Sequence, residues 1–262
     1  MTIEPVTVFF SYSHEDEELR KNLEKHLKIL MRNGVISGWH DRKILPGDEW
    51  DKAINKNLNT AQIILLLISA DFLASDYCWD IEVNTAMQRH DTGNAITIPV
   101  ILRSCNWRSA PFGKLQALPK NAKPVRDTRI WPTVDDAFTD IAQGIEKAAN
   151  DIRQRLRESY QAQISQHKRD EYRQLVRDYL ADRKLTPLEE FRLKQKREAL
   201  GLSEPEAQAI LKEEQAPLEN ARNTYRDFLL HLIEAGHYPF NDENLTELRQ
   251  MNDELELPDS EV

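Results

Sequence analysis

Ile63 to Ile68 is the longest apolar run in this 262-residue chain, and it limits the fold more than any other stretch. A strand with one wet face alternates apolar and polar residues. An unbroken run rich in β-branched side chains belongs instead to a strand covered on both faces, as in a parallel sheet with helices on each side. The flanking sequence supplies such helices. Leu19, Leu23, Leu27 and Leu30 recur at helical spacing and end at Asn33-Gly34, and Trp50, Ile54 and Leu58 resume the period. Val6 to Phe10 and Val35 to His40 read as strands, and Ser13 with Asp16 has capping-box spacing for the first helix. Ile96 to Leu102 gives a fourth strand, with Pro99 tolerated near an edge, and Lys123–Arg126 a weak fifth. Val134, Phe138, Ile141 and Ile145 then mark a helix. The alternation predicts an α/β fold with a doubly wound, five-stranded parallel sheet, whose ligands lie beyond the C-terminal strand ends.

One such end leads into Ser75-Asp76-Tyr77-Cys78-Trp79-Asp80-Ile81-Glu82. A helix from Tyr77 to about His90 sets Glu82 one turn beyond Cys78 and Trp79 on a shared face. A carboxylate beside apolar side chains at a pocket mouth is a candidate for chemistry. The same position also suits a carboxylate that only complements the helix dipole. Cys78 and Cys105 are the two cysteines, in no metal-ligand spacing, so neither a disulfide framework nor a zinc site is suggested. Cys78 has no local His beside it and reads as a small inward hydrophobe.

The second half has its own composition. Residues 1–150 carry 18 basic against 20 acidic side chains, and residues 151–262 carry 17 against 24. The net charge of −9 argues against a basic nucleic-acid surface. No apolar run approaches the roughly 18 residues of a membrane span, and Met1 to Thr7 has no signal core, so a reducing cytoplasmic compartment without membrane contact is expected. Ile145, Ile152, Leu156, Tyr160 and Ile164 extend the last helix as a connector. Thr186-Pro187-Leu188-Glu189 and Ser203-Glu204-Pro205-Glu206 announce helix starts, Leu218 to Leu232 forms the strongest apolar face, and Leu245 to Leu255 a final helix. Asp178, Asp182 and Glu189 match a calcium-loop template, but Leu180 and Arg183 break it, and a helix-turn-helix explains the same residues. The expected domains are 1–150, carrying the sheet, and 151–262, an all-α domain joined by a continuous helix.

Three stretches together resemble a toll/interleukin receptor (TIR) domain of the NAD-cleaving bacterial type, with a flavodoxin-like sheet. These are Val8-Phe9-Phe10-Ser11-Tyr12-Ser13-His14-Glu15-Asp16, Asp41-Arg42-Lys43-Ile44-Leu45-Pro46-Gly47, and Ser75 to Glu82. The resemblance implies cleavage of the nicotinamide–ribose bond, with Glu82 catalytic and NAD+ as substrate rather than cofactor. The absence of a G-x-G-x-x-G run fits consumption of NAD+ instead of hydride cycling. For substrate contact it implies Phe10, Ser11, Asp41, Trp50, Ser75, Cys78 and Trp79, and it implies no metal. Trp50 falls one residue later than the family's stacking aromatic and has core spacing with Ile54 and Leu58. Ser13 stands where related NAD-cleaving domains often carry a basic residue. The family further implies self-association through the TIR domain and the helical tail, with Asp41–Asp48 completing a neighbour's site, in bacterial immune or stress signalling. Two other readings stay open: a non-catalytic adaptor acting through protein contacts, and a cyclase making a cyclic ADP-ribose-type signal.

Overall fold

The computed structural model describes residues 4–39, 50–180 and 185–257, with residues 39 and 50–53 described by their backbone. The described chain divides into two compact units, Met1–Glu158 and Ser159–Val262.

The first unit holds a parallel sheet of four strands, β1 (Val6–Tyr12), β2 (Ile36–Trp39), β3 (Ile63–Ile68) and β4 (Ile96–Ile101), in the order β2-β1-β3-β4. Phe10 pairs with Leu65 and Tyr12 with Leu67, while Ile63 pairs with Ile96. Every side chain of β3 is fully buried, and the strand's period of two divides them between two cores. Leu65 and Leu67 join Leu23 and Leu27 of α1 (Glu17–Arg32) and Phe138 and Ile141 of α5 (Val134–Tyr179). Ile64, Leu66 and Ile68 face Leu58 of α2 (Trp50–Thr60) and Ala86 of α4 (Asn84–Asp91). Between β3 and α4 lies α3 (Ala70–Ala74), followed by a π-helical turn over Cys78–Val83.

The expected fifth strand does not form. Pro124 has no N–H to give, and of Lys123–Arg126 only Val125 bonds to β4, donating to the Ile101 carbonyl at 2.9 Å. A single bridge between Val100 and Leu118 covers the same edge. Pro99 sits on that edge strand, where its missing donor costs no ladder bond to an inner neighbour. The capping box expected from Ser13 and Asp16 is also absent: Ser13 makes no side-chain cap, and the Asp16 carboxylate is used elsewhere.

The second unit is helical, with the end of α5, α6 (Pro187–Leu200), α7 (Glu204–Glu234) and α8 (Asp242–Glu254). Both expected capping boxes are present, Thr186 with Glu189 and Ser203 with Glu206. Glu189 is thus an N-terminal cap residue, and residues 181–184 of the calcium-loop comparison lie outside the described residues. Tyr172, Val176, Leu193 and Ile210 form one core cluster, and Tyr225, Leu232, Leu248 and Leu257 another. Among the described residues no helix is long and apolar enough to cross a membrane.

Glu206 gives this unit an acid-sensitive contact. The Ser203 hydroxyl first, then Arg169 at 2.8 Å, holds its carboxyl down to about 2 against an ordinary 4.5. A folded value below the unfolded one means the contribution is complete above 4.5 and lost as pH falls through about 2. Wild type should therefore unfold at higher denaturant than Glu206→Gln at neutral pH, with the difference vanishing near pH 2. Equal midpoints at neutral pH would refute this role.

Candidate functional site

The strand order reverses direction between β1 and β3, and loops leaving the C-terminal ends of those two strands part there, which opens a crevice in this kind of sheet. A pocket of about 320 Å³ occupies that position, at the small end of the range for small-molecule sites. Phe9, Phe10 and Tyr12 of β1 line it, with Ser13, His14 and Glu15 of the following turn. Ile54 of α2 and Ser75, Tyr77, Cys78 and Glu82 complete the described wall. Among these lining residues there is no Lys or Arg, whereas two carboxylates, four Phe and Tyr rings and the His14 imidazole are present. Such a wall suits a planar cationic group better than a phosphate.

Glu82 is 5% exposed, and Ser11, 1% exposed, donates its hydroxyl to Glu82 Oε2. The two are 71 residues apart and meet because β1 and β3 are neighbours. Ser11 is not among the pocket's lining residues: it stands behind the carboxylate and orients it. Ser75 accepts from the Cys78 N–H at 3.3 Å, capping the helix that carries Glu82, and the Cys78 thiol donates to the Tyr12 carbonyl at 3.7 Å.

The helical turn bearing Glu82 differs from the expected α-helix. Its i→i+5 geometry is wider, so side chains three apart no longer stand above one another. Cys78 and Glu82 are both buried in the wall, but Trp79 turns to Phe112, with ring centroids 6.4 Å apart, and does not line the pocket. Gly38 of β2 leaves room for Phe10: a Cβ there would stand 3.1 Å from the Phe10 ring and 2.8 Å from Met31 Cε. Asp41 lies outside the described residues, and so do the Asp41–Asp48 loop and the side chain of Trp50, whose backbone begins α2.

A second polar cluster, which sequence reading missed, braces this site from behind. Asp16, 2% exposed, accepts from Arg103 Nε at 2.8 Å and from the Ser69 hydroxyl, while Arg103 Nη2 donates to Asp71. Ser69 also caps α3, accepting from the Phe72 N–H at 3.0 Å. The hydrogen bonds that Arg103 donates, to Asp16 first and then to Asp71, raise its pKa above the usual value. The cluster ties the turn after β1, which lines the pocket, to the segments following β3 and β4. Each member follows a strand end, but nothing local in sequence couples positions 16, 69 and 103.

The fold and the crevice define a parallel α/β domain with a candidate small-molecule site at its topological switch point. Residues 8–129 match the family model of the TIR domain, so the first unit carries a TIR domain. Uncharacterized protein y4lF of Sinorhizobium fredii (strain NBRC 101917 / NGR234) is 54% identical over 146 residues, a match covering 56% of this chain and 44% of that protein. The chain thus spans less than half the length of that relative. A solved structure of the activated Roq1 resistosome directly recognizing the pathogen effector XopQ (TIR domains) covers 58% of this chain and 98% of its own, at 20% identity and a TM-score of 0.34.

Proposed function

We propose that the chain is an NAD+ glycohydrolase acting in signalling, with Glu82 as its catalytic carboxylate. The observation that carries this reading is a buried carboxylate, oriented by Ser11, in an aromatic pocket whose described wall holds no Lys or Arg. Nicotinamide in NAD+ is a planar cation and a good leaving group. The bond between the ribose C1′ and the ring nitrogen breaks, its electron pair stays on nicotinamide, and positive charge develops on the ribose. A fixed carboxylate beside that charge stabilises the transition state more than the ground state, because the charge it faces grows as the bond breaks. Water then adds to C1′ and loses a proton, giving ADP-ribose, nicotinamide and H+. Phe10, Ser75 and Cys78 shape the wall in this reading, and Trp79 supports it through Phe112. NAD+ is the substrate, with no cofactor, and self-association through the TIR and helical units switches the activity.

The test is incubation of purified protein with NAD+ and chromatographic separation of the products. Release of nicotinamide with ADP-ribose is expected. A cyclised nucleotide would support the cyclase chemistry at the same carboxylate. Absence of nicotinamide at every protein concentration, including those that drive association, would leave the adaptor reading in its place.

A further inference from the structure

A second concavity of about 640 Å³ lies beyond the end of β4, separate from the pocket that holds Glu82. Its walls come from the segment before the 3-10 turn at Pro111–Lys114, from the second 3-10 turn at Lys120–Ala122 and from the segment that follows it. Five basic side chains line it, Arg103, Arg108, Lys123, Arg126 and Arg129, against one carboxylate, Asp127. Arg129 neutralises Asp127 through a two-pronged pair, Nε and Nη2 each donating at 2.9 Å. Asp16 and Asp71 hold Arg103. Counting those two acids as well, the groove keeps a surplus of two positive charges in a chain whose net charge is −9.

Arg108, Lys123 and Arg126 carry that surplus: none of them forms an ion pair among the described residues, although Lys123 acts on Asp127 through space. Their placement has structure behind it. The Arg108 guanidinium lies 4.9 Å from the centre of the Trp107 ring, and that ring is 6% exposed, so the stacked cation is held on a rigid base. Asn121 and Ala122, which also line the groove, both take left-handed backbone conformations, with φ of 58° and 54°. Ala adopts this region only when its surroundings impose it. Cys105 lines the groove too, but burial raises its thiol pKa first of all, so it contributes no thiolate to repel an anion.

We propose that this groove binds a phosphorylated small molecule through Arg108, Lys123 and Arg126. These cations stand on two segments, Arg108 on one and Lys123 with Arg126 on the other, which matches an anion bearing oxygens in several directions, and two of them are guanidinium forks that bond phosphate oxygens in pairs. A single carboxylate would engage one fork and leave the other charges unmet. Arg108 covers the Trp107 ring, so the site reads phosphates and offers no open aromatic face to a base.

Titration calorimetry of the full chain with inorganic pyrophosphate and with ADP, at fixed ionic strength, tests this. Saturable binding of pyrophosphate is expected, weakened by at least about tenfold in the Arg108→Ala, Lys123→Ala, Arg126→Ala triple variant. All three side chains are exposed, so the variant should keep the wild-type circular dichroism and melting temperature. Arg126→Glu alone should weaken binding with less perturbation, and Lys28→Ala on α1 should leave it unchanged. Failure of pyrophosphate to saturate, or affinity that survives in the triple variant, would overturn the proposal. Pyrophosphate contains no nicotinamide, so this outcome is independent of whether the chain cleaves NAD+.

Discussion

Glu82→Gln is expected to lower kcat/KM for nicotinamide release from NAD+ by about 10²- to 10³-fold while leaving the fold intact. Gln keeps the length of Glu, and its carbonyl oxygen still accepts from the Ser11 hydroxyl, so the buried site stays filled and hydrogen-bonded. What disappears is the negative charge that the proposed reaction requires beside C1′. Glu82→Ala would be a less clean test, because it strands a buried Ser11 donor, a defect of about 1–3 kcal/mol. Initial rates at several NAD+ concentrations, with circular dichroism on the same samples, separate the two effects. A folded Glu82→Gln protein with undiminished turnover would remove Glu82 from the mechanism.

The largest loss of stability is expected from Asp16→Ala, about 3 kcal/mol, the lower end of the range for breaking a buried ion pair from one side. Asp16 is fully enclosed, whereas Arg103 is 31% exposed and can recover some hydration, which sets the figure at that end. The substitution also strands the Ser69 hydroxyl. Asp16→Asn keeps one acceptor oxygen and should cost less. Urea unfolding monitored by tryptophan fluorescence measures both. A loss below about 1 kcal/mol, the scale of an exposed ion pair, would show that the cluster does not brace the fold. Catalysis should fall as well, since Asp16 adjoins Glu15 in the pocket wall.

Glu82 could be singled out from sequence because its setting is partly local: an apolar strand, a capping serine and a helix within twenty positions. The face it shares differs from the α-helical expectation. A π turn and an α turn carry the same residue types, and only the packing of Cys78 and Trp79 against different neighbours distinguishes them. Lys123–Arg126 failed as a strand for a similar reason. Its composition allowed pairing, but Pro124 and the route of the loop left one bond to β4. Arg108 and Arg126 carry no local signal in the sequence, and the fold sets them around one groove.

Some interactions spanning three or four residues were determined by the sequence alone, though the pairing of Ser13 with Asp16 was not. The capping boxes at Thr186 and Ser203 and the leucine face of α1 depend on neighbours that helix geometry brings together. The meeting of Ser11 with Glu82, and of Asp16 with Ser69 and Arg103, was decided by tertiary structure. Those contacts exist because β3 lies between β1 and β4, so that loops far apart in the chain leave the sheet side by side. Local propensity carries no record of which strands become neighbours, and burial of both faces of the sheet supplies it.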